Sequence, residues 1–447
     1  MDRLARALLD SLAGQPGQPA LAVAYSGGRD STVLLHVAAG LRDAGRLGPL
    51  RALHVDHGLH PGSARWRERA AAACDRLAVP FAAVAVDARP AAGQSPEAAA
   101  REARYVALGE RLAPGEWLLT AHHLDDQAET VLLQLLRGAG IEGLAGMPAR
   151  ARFAPGWLVR PWLDQPRAAL AAYAASHRLD WCEDPDNAST ARDRNFLRHE
   201  ILPRLAARWP AATECLARSA GHCAEASFLL EALAAVDLGE LGVVPGAATL
   251  PLDGVRRLDP ARRRLLLRRW LAGLGLPRPA QRVLARIERE VLGAGRDRNP
   301  HVAWPGGEVR RYRDRLYAGR PPDARPDREA RRWDVATPLV LPWGRLWGET
   351  TVGDGLDLAR LENAAVTVTT RAGGERLRLQ GRHRRPLKKL LQEAGVPPWR
   401  RERLPLVLVD GELAAVADLW VTSGFAARPG RPGLRLRWQE GMANGCD

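Results

Sequence analysis

Short apolar runs at 21–25 (LAVAY), 51–55, 81–86 and 117–120 alternate with stretches of helical periodicity at 30–41, 63–77, 96–112 and 125–136. This alternation constrains the fold more than any other feature of the chain. Strands that alternate with helices pack as a parallel sheet covered on both faces. Ligands of such sheets sit at the carboxyl ends of the strands. The polar motifs of this region fall there.

Further along, 157–162 reads as another strand and 166–177 as a helix. From about residue 211 the pattern becomes almost wholly helical, through 214–235, 259–273 and 279–292. The Pro- and Arg-rich stretch 320–332 (RPPDARPDREARR) reads as a linker. Strand-like runs follow at 366–370, 404–409 and 413–417, with one embedded helix at 386–395. The expected architecture is a Rossmann-like α/β domain over 1–208 and a helical domain over 209–320. A linker over 321–345 and a small basic α+β domain over 346–440 complete it. At 447 residues the chain is long enough for such a division.

The formal net charge is +14, with 65 basic against 51 acidic side chains, which points to a polyanionic partner. Only two of the basic residues are lysines, the neighbours Lys388 and Lys389. No apolar run is long enough to cross a bilayer. Residues 1–14 carry Asp2, Arg3, Arg6 and Asp10, which suits a surface helix and not a signal peptide, so a cytoplasmic protein is expected. The five cysteines, Cys74, Cys182, Cys215, Cys223 and Cys446, form no C-x-x-C pair, and neither a zinc ribbon nor a cluster is signalled.

Four motifs carry chemistry. Ser26-Gly27-Gly28-Arg29-Asp30-Ser31 follows the LAVAY run and opens a helix. Its glycines let the backbone approach an anion. The helix start offers free N–H groups and positive potential. Ser26 and Ser31 add hydroxyls, and Asp30 suits Mg²⁺ between itself and phosphate. No lysine is present, so this is not a Walker-type loop. It matches the S-G-G-x-D-S loop of enzymes that split ATP between its α- and β-phosphates.

The second motif, His54-Val55-Asp56-His57-Gly58-Leu59, closes the second strand. Its backbone could meet an adenine or ribose. His54 and Asp56 are candidates for nucleotide contact, with satisfied structural roles as the alternative. The third, 120–130 (TAHHLDDQAET), includes His122, a candidate for nucleotide contact, with Asp126 and Glu129. Asp125 reads as a helix cap. Asp126 and Glu129 are three apart and share a helix face. Two carboxylates there could hold Mg²⁺ or an ammonium group, or help remove its proton. The fourth, 194–199 (RNFLRH), brings Arg194 and Arg198. It reads either as an Arg-rich surface helix or as a phosphate or substrate contact.

These motifs occur in order with R-E-A-R-Y (101–105) and R-G-A-G-I-E-G-L-A-G-M (137–147). A C-terminal string follows, R-A-G-G-E-R (371–376) and then P-L-K-K-L-L-Q-E-A-G-V-P-P-W-R-R-E-R-L-P-L (386–406). The set resembles tRNA-Ile lysidine synthase, densely over the first two hundred residues and closely in the C-terminal segment. The middle resembles that family only in position and character.

The resemblance implies an ATP-dependent ligase that joins free L-lysine to the wobble cytidine of tRNA-Ile with a CAU anticodon. The cytidine ring oxygen attacks the α-phosphate and pyrophosphate leaves from Ser26–Ser31 with Mg²⁺. The lysine amine then attacks the ring carbon and AMP departs. The attacking amine must be deprotonated. Asp126 and Glu129 are the candidates for binding it and taking its proton. Arg104 is placed to assist, suited to the lysine carboxylate or a phosphate. Asp30 and Asp126 are the candidate metal ligands.

Between 371 and 404 stand eleven basic and three acidic residues. That footprint makes Arg371, Arg376, Lys388, Lys389 and Arg400 candidate tRNA contacts, together with Arg194 and Arg198. Trp399 in this segment either stacks on a base or packs, packing being the better reading. The helical middle is open to two roles, a dimer contact or a tRNA clamp. Among enzymes sharing the loop, a tRNA thiolase would carry paired cysteines, and NAD or GMP synthetases need no basic C-terminal module. An RNA-binding protein with a vestigial nucleotide fold would have no need of Asp30, Asp126 and Glu129.

Overall fold

A computed structural model describes all residues except 1, 15–16, 57–62, 88, 91–95, 184–188, 296–297, 322–325, 382 and 442–447. His57, Gly58 and Leu59 of the second motif, part of the expected linker, and Cys446 therefore lie outside the described residues. The chain divides into two compact units, Met1–Leu233 and Ala234–Asp447.

In the first unit helix α1 (Arg3–Leu12) precedes strand β1 (Leu21–Ala24), helix α2 (Arg29–Asp43), β2 (Leu50–Asp56) and α3 (Ser63–Arg76). Then come β3 (Phe81–Ala85), α4 (Pro96–Arg111), β4 (Trp117–Leu119), α5 (Leu124–Leu136) and α6 (Ile141–Leu144). The hairpin β5 (Arg150–Phe153) and β6 (Gly156–Val159) leads to α7 (Arg167–Ser176). The sheet order is β3-β2-β1-β4-β6-β5, parallel except for β5. Leu21 of β1 is in register with Leu50 of β2 on one side and Trp117 of β4 on the other. The chain thus winds outward from β1 to β3 and restarts at β4 beside β1. The β1/β4 gap is the topological switch point, where such sheets bind ligands.

Alternating apolar side chains of β1 feed both faces: Leu21 and Val23, with Tyr25 just beyond the strand, enter one core and Ala22 the other. Helix α2 buries Val33, Leu34, Leu35, Val37, Ala38 and Leu41, because α1 and α7 cover the side turned away from the sheet. Leu4 and Leu8, one helical turn apart, dock α1, and Asp2 caps it by accepting from the Arg3 amide at 2.7 Å. Each fully buried leucine contributes about 1.5–3 kcal/mol.

After α7 come α8 (Asp193–Phe196), a π-helical turn over Leu197–Ile201, α9 (Leu202–Arg208) and the long α10 (Ala212–Glu240). In the second unit, α11 (Leu252–Arg257), α12 (Pro260–Gly273) and α13 (Gln281–Arg286) pack on a sheet that the sequence reading of this region as helical omits. Its strands are β7 (Thr249–Pro251), β8 (His301–Trp304), β9 (Gly307–Tyr312) and β10 (Arg315–Gly319), antiparallel in the order β7-β10-β9-β8. Arginine hides the strand pattern. Arg311, on β9, is buried to 1 % exposure, and its guanidinium donates to the carbonyls of Val291, Ala294 and Gly295. A core position therefore reads as polar.

The remaining C-terminal strands form a five-stranded, a four-stranded and a two-stranded antiparallel sheet, with α14 (Leu387–Glu393) and α15 (Pro398–Arg401) beside them. The expected linker over 321–345 is too long at its C-terminal end. Arg331–Arg332 pairs with Val366–Thr369, and Trp333, Leu341 and Trp343 are buried in the core of this part. The apolar run Leu339-Val340-Leu341 lies between the Pro- and Arg-rich stretch and Pro342, and that composition hides it.

Candidate active site at the switch point of the first sheet

Three motifs meet at the carboxyl ends of β1 and β4. The first leaves β1 and opens α2. Gly27 sits at φ +81°, in the left-handed region that favours glycine. Its carbonyl accepts from the Cys182 amide at 2.9 Å, which fixes the turn. Ser26 Oγ lies 3.0 Å from Ser31 Oγ, and Ser31 Oγ also donates to the Gly28 carbonyl at 2.9 Å. Gly28, the N-cap of α2, supplies no side-chain cap, which leaves first-turn amides for an anion.

Asp30 accepts from Arg29 Nε at 3.0 Å and faces His123 Nε2 at 3.6 Å. Burial opposes its charge, but His123 and Arg29 outweigh burial and hold its pKa down at about 2.

The third motif leaves β4 and opens α5. His123, 1 % exposed, is the N-cap. Its Nδ1 accepts from the Asp126 amide at 3.4 Å, while Asp126 Oδ2 accepts from the His123 amide at 3.1 Å. His123 was missed by the sequence reading, which favoured His122. A signal was available, since the residue before L-D-D occupies the cap position. Burial lowers the His123 pKa, but Asp30, Asp126 and Asp125 more than reverse this. Burial likewise opposes the Asp126 charge, and His123 with Arg194 and Arg198 outweighs it to lower that pKa. The expected capping role of Asp125 is met at a distance: its Oδ2 accepts from the Arg167 amide at 2.8 Å and caps α7, not its own helix.

Glu129 is completely buried. Arg194 Nε donates to it at 2.7 Å and Arg198 Nε at 2.6 Å, with Arg198 Nη2 at 3.0 Å. Arg198 Nη2 also reaches Asp126 Oδ1 at 3.1 Å. The fourth motif, on α8 and the π-helical turn, therefore folds onto the third. Arg194 and Arg198 are four apart, and Asp126 and Glu129 three apart, so two helix faces of opposite charge meet. The two carboxylates assigned to the amine are already occupied by guanidinium groups.

His122 is half-buried, with Nδ1 2.9 Å from Thr120 Oγ1. Burial first, and then the nearby Arg160, Arg194 and Arg101, push its pKa down to about 3 against the pull of Asp126, so the ring is neutral. Arg104 is solvent-exposed, and partial desolvation with Arg101 and Arg194 lowers its pKa. Arg160, not anticipated, is buried at the end of β6 and donates to the Pro148 carbonyl at 2.7 Å. His54 Nδ1 lies 2.9 Å from the Tyr25 carbonyl and the ring packs near Phe81, contacts that bear on its structural alternative. Asp56, at the end of β2, is half-buried.

The 137–147 motif has a packing cause. The Gln127 amide bonds both the carbonyl and the amide of Met147, at 2.9 and 2.8 Å. Gly146 lies at φ +65°, and a Cβ there would stand 2.8 Å from Gln127 Oε1.

Among the described residues no group of three or more His, Cys, Asp or Glu is arranged as a metal cage. This donor set still fits Mg²⁺, which takes one or two carboxylates and completes its shell with phosphates and water. Asp30, with 30 % of its side chain exposed, is the more open of the two candidates, against 14 % for Asp126.

The basic C-terminal candidates belong to the second unit. Lys388 and Lys389 are exposed on α14. Arg371 pairs with Glu375 at 3.4 Å, Arg400 with Glu440 at 2.9 Å, and Arg376 is exposed. Trp399 packs edge-on against Tyr312 and Tyr317, with Arg310 over its ring, which bears on its packing alternative.

Among the described residues no helix is long and apolar enough to cross a membrane. The PP-loop domain family matches residues 2–205, the TilS substrate binding domain 250–317 and the TilS substrate C-terminal domain 366–438. The tRNA(Ile)-lysidine synthase of Methylococcus capsulatus is 46% identical over 93% of this chain and 95% of its own length. That of Alkalilimnicola ehrlichii is 46% identical over 91% of each chain. The Coxiella burnetii protein of the same name is 41% identical over 91% of this chain and 90% of its own. At this identity over more than nine-tenths of its length, the chain belongs to the tRNA(Ile)-lysidine synthase family.

Proposed function

We propose that the protein adenylates the wobble cytidine of the CAU anticodon of tRNA-Ile with ATP and then joins L-lysine to it. The reaction releases diphosphate and AMP, forms a C–N bond, and changes codon reading from AUG to AUA. The observation that carries this reading is the meeting of the S-G-G-R-D-S turn and the Asp126 helix start on neighbouring strands at the switch point.

In the first step the cytidine ring oxygen attacks the α-phosphate and the bond to the β-phosphate breaks. The α2 amides and the Ser26 and Ser31 hydroxyls receive the departing diphosphate. Mg²⁺, held by Asp30 and Asp126, would neutralise the charge growing on the phosphate oxygens. In the second step the deprotonated lysine amine bonds to the ring carbon and the C–O bond to AMP breaks. Asp126 receives the incoming ammonium and helps take the proton it must lose, so that the amine attacks with a free lone pair. Glu129 becomes available to it as Arg198 withdraws, a movement that tRNA phosphate would favour by competing for the guanidinium. Arg104 suits the lysine carboxylate or a phosphate.

The basic face around Lys388 and Lys389 is assigned to the tRNA, and the protein to the cytoplasm. For the helical middle, 209–320, the dimer contact and the tRNA clamp remain distinct roles, separated by sedimentation with and without tRNA.

The deciding assay incubates the purified chain with tRNA-Ile, ATP, Mg²⁺ and isotopic lysine. Mass spectrometry of the RNA should show one added lysine, with AMP and diphosphate in equal amounts. ADP in place of AMP, or no label in the anticodon loop, would overturn the proposal.

A further inference from the structure

One buried ring stands between the two carboxylates assigned to the nucleotide. His123 Nε2 is 3.6 Å from Asp30 Oδ2 and 3.4 Å from Asp126 Oδ2. Asp30 belongs to the first turn of α2 and Asp126 to the first turn of α5, on helices that follow neighbouring strands. The other ring nitrogen, Nδ1, accepts from the Asp126 amide and so carries no proton while the cap is made. While the cap is made, Nε2 carries a ring proton and lies on the side of both carboxylates.

The ring has little freedom to leave this place. It is 1 % exposed. The His123 backbone pairs with Trp162, whose indole is fully buried and donates to the Leu4 carbonyl at 3.1 Å. The next amide, of Leu124, donates to the Gln165 carbonyl at 2.9 Å.

Capping alone does not call for histidine. Ser, Thr, Asp and Asn cap helices better and are smaller. What histidine adds is a second nitrogen on the far side of the ring, and that nitrogen meets Asp30. We propose that His123 is a positioning residue: it fixes the separation of Asp30 and Asp126, so that the two carboxylates face the cation and phosphates of the nucleotide as one preset surface. Like charges on separate helices drift apart unless a donor lies between them. The imidazole N–H is that donor, and it ties the diphosphate turn to the helix that receives the amine. This inference rests on the reading of Asp30 and Asp126 as nucleotide-site carboxylates.

The two nitrogens can be removed one at a time. His123→Asn keeps an acceptor where Nδ1 caps α5 but does not reach Asp30. His123→Gln carries its amide near the place of Nε2 and gives up the cap. Each full-length variant is compared with wild type by thermal unfolding, by tRNA-dependent diphosphate release against Mg²⁺ concentration, and by the shift in unfolding temperature caused by Mg²⁺ and ATP.

The expected result for His123→Asn is near-wild-type unfolding, a kcat for diphosphate release lower by about 10- to 100-fold, and a raised Mg²⁺ requirement. The KM for tRNA should be unchanged. His123→Gln should unfold earlier yet recover most of the Mg²⁺ response. The proposal is overturned if His123→Asn matches wild type in kcat and Mg²⁺ dependence, because the ring would then be a cap only. That single variant decides the matter even where His123→Gln does not fold. The unfolding shift with Mg²⁺ and ATP keeps the two readings apart. Wild-type protein that makes no AMP sinks the proposed function, whereas an undiminished shift in His123→Asn sinks the positioning role.

Discussion

Replacing Glu129 by glutamine tests the least expected feature of the site. The change keeps shape and volume but removes the charge from a carboxylate with no solvent exposure. Three guanidinium N–H bonds of 2.6–3.0 Å converge on it. Two cationic side chains, each about one-fifth exposed, would be left sharing Asp126. Breaking a buried ion pair by removing one partner costs about 3–5 kcal/mol. Residual exposure of the arginines screens part of that, which leaves about 3 kcal/mol. For a unit of the size of Met1–Leu233 this corresponds to a fall in Tm of about 6–12 °C. Differential scanning calorimetry of the full chain measures it, alongside the KM for lysine in the labelling assay. Arg198→Gln added to Glu129→Gln should recover part of the loss, since one uncompensated cation disappears. If Glu129→Gln unfolds within about 0.5 kcal/mol of wild type while the lysine KM rises, the guanidinium clamp is not structural. Glu129 would then be a free amine-binding carboxylate.

Other outcomes follow from single contacts. His122 has a folded pKa near 3 against 6.5 unfolded, so the unfolded chain binds one more proton between those values. Stability should therefore fall as pH drops below about 6.5, by up to about 1.4 kcal/mol per pH unit, and urea titrations at pH 6 and 5 should show His122→Asn losing less than wild type. Gly146→Ala places a Cβ against the Gln127 amide at a left-handed φ; a loss of about 1–3 kcal/mol in urea unfolding is expected, and none would show that the Met147 tether is dispensable. Lys388→Glu with Lys389→Glu should weaken tRNA binding and flatten its dependence on salt, measured by filter binding across a KCl series; an unchanged slope removes these residues from the interface.

The first sheet was legible because its strands are short, apolar and bounded by glycine, aspartate and helix starts. Periodicity needs nothing beyond neighbouring residues, and the strands at Leu21–Ala24 and Phe81–Ala85 have no other pattern to compete with. The glycine turn was legible for a similar reason: its chemistry is written in consecutive residues. The partner of Asp125 was not, because the amide it caps is 42 positions away. Nor was the sheet of the second unit. There Arg311 does the work of an apolar side chain by giving its donors to four carbonyls, and a strand with arginine inside looks like a charged loop.

The same limit governs the site. Spacing put Asp126 and Glu129 on one face of a helix, and Arg194 and Arg198 on one face of another. Each pair alone suggests a surface offered to a ligand. Together they neutralise one another, and only the fold shows that they meet. A substrate ammonium must therefore compete with guanidinium groups, one of them in bidentate contact with Glu129, and a single ammonium matches that two-point geometry poorly. The competition is eased if the arginines are drawn to a polyanion at the moment the amine is needed. Lysine affinity should then be higher in the presence of tRNA than in its absence, and by linkage tRNA affinity should rise equally with lysine. Equilibrium dialysis of labelled lysine with and without tRNA-Ile reads this directly. Equal lysine affinity in both would mean that the arginines never move, and that the amine meets Asp126 alone.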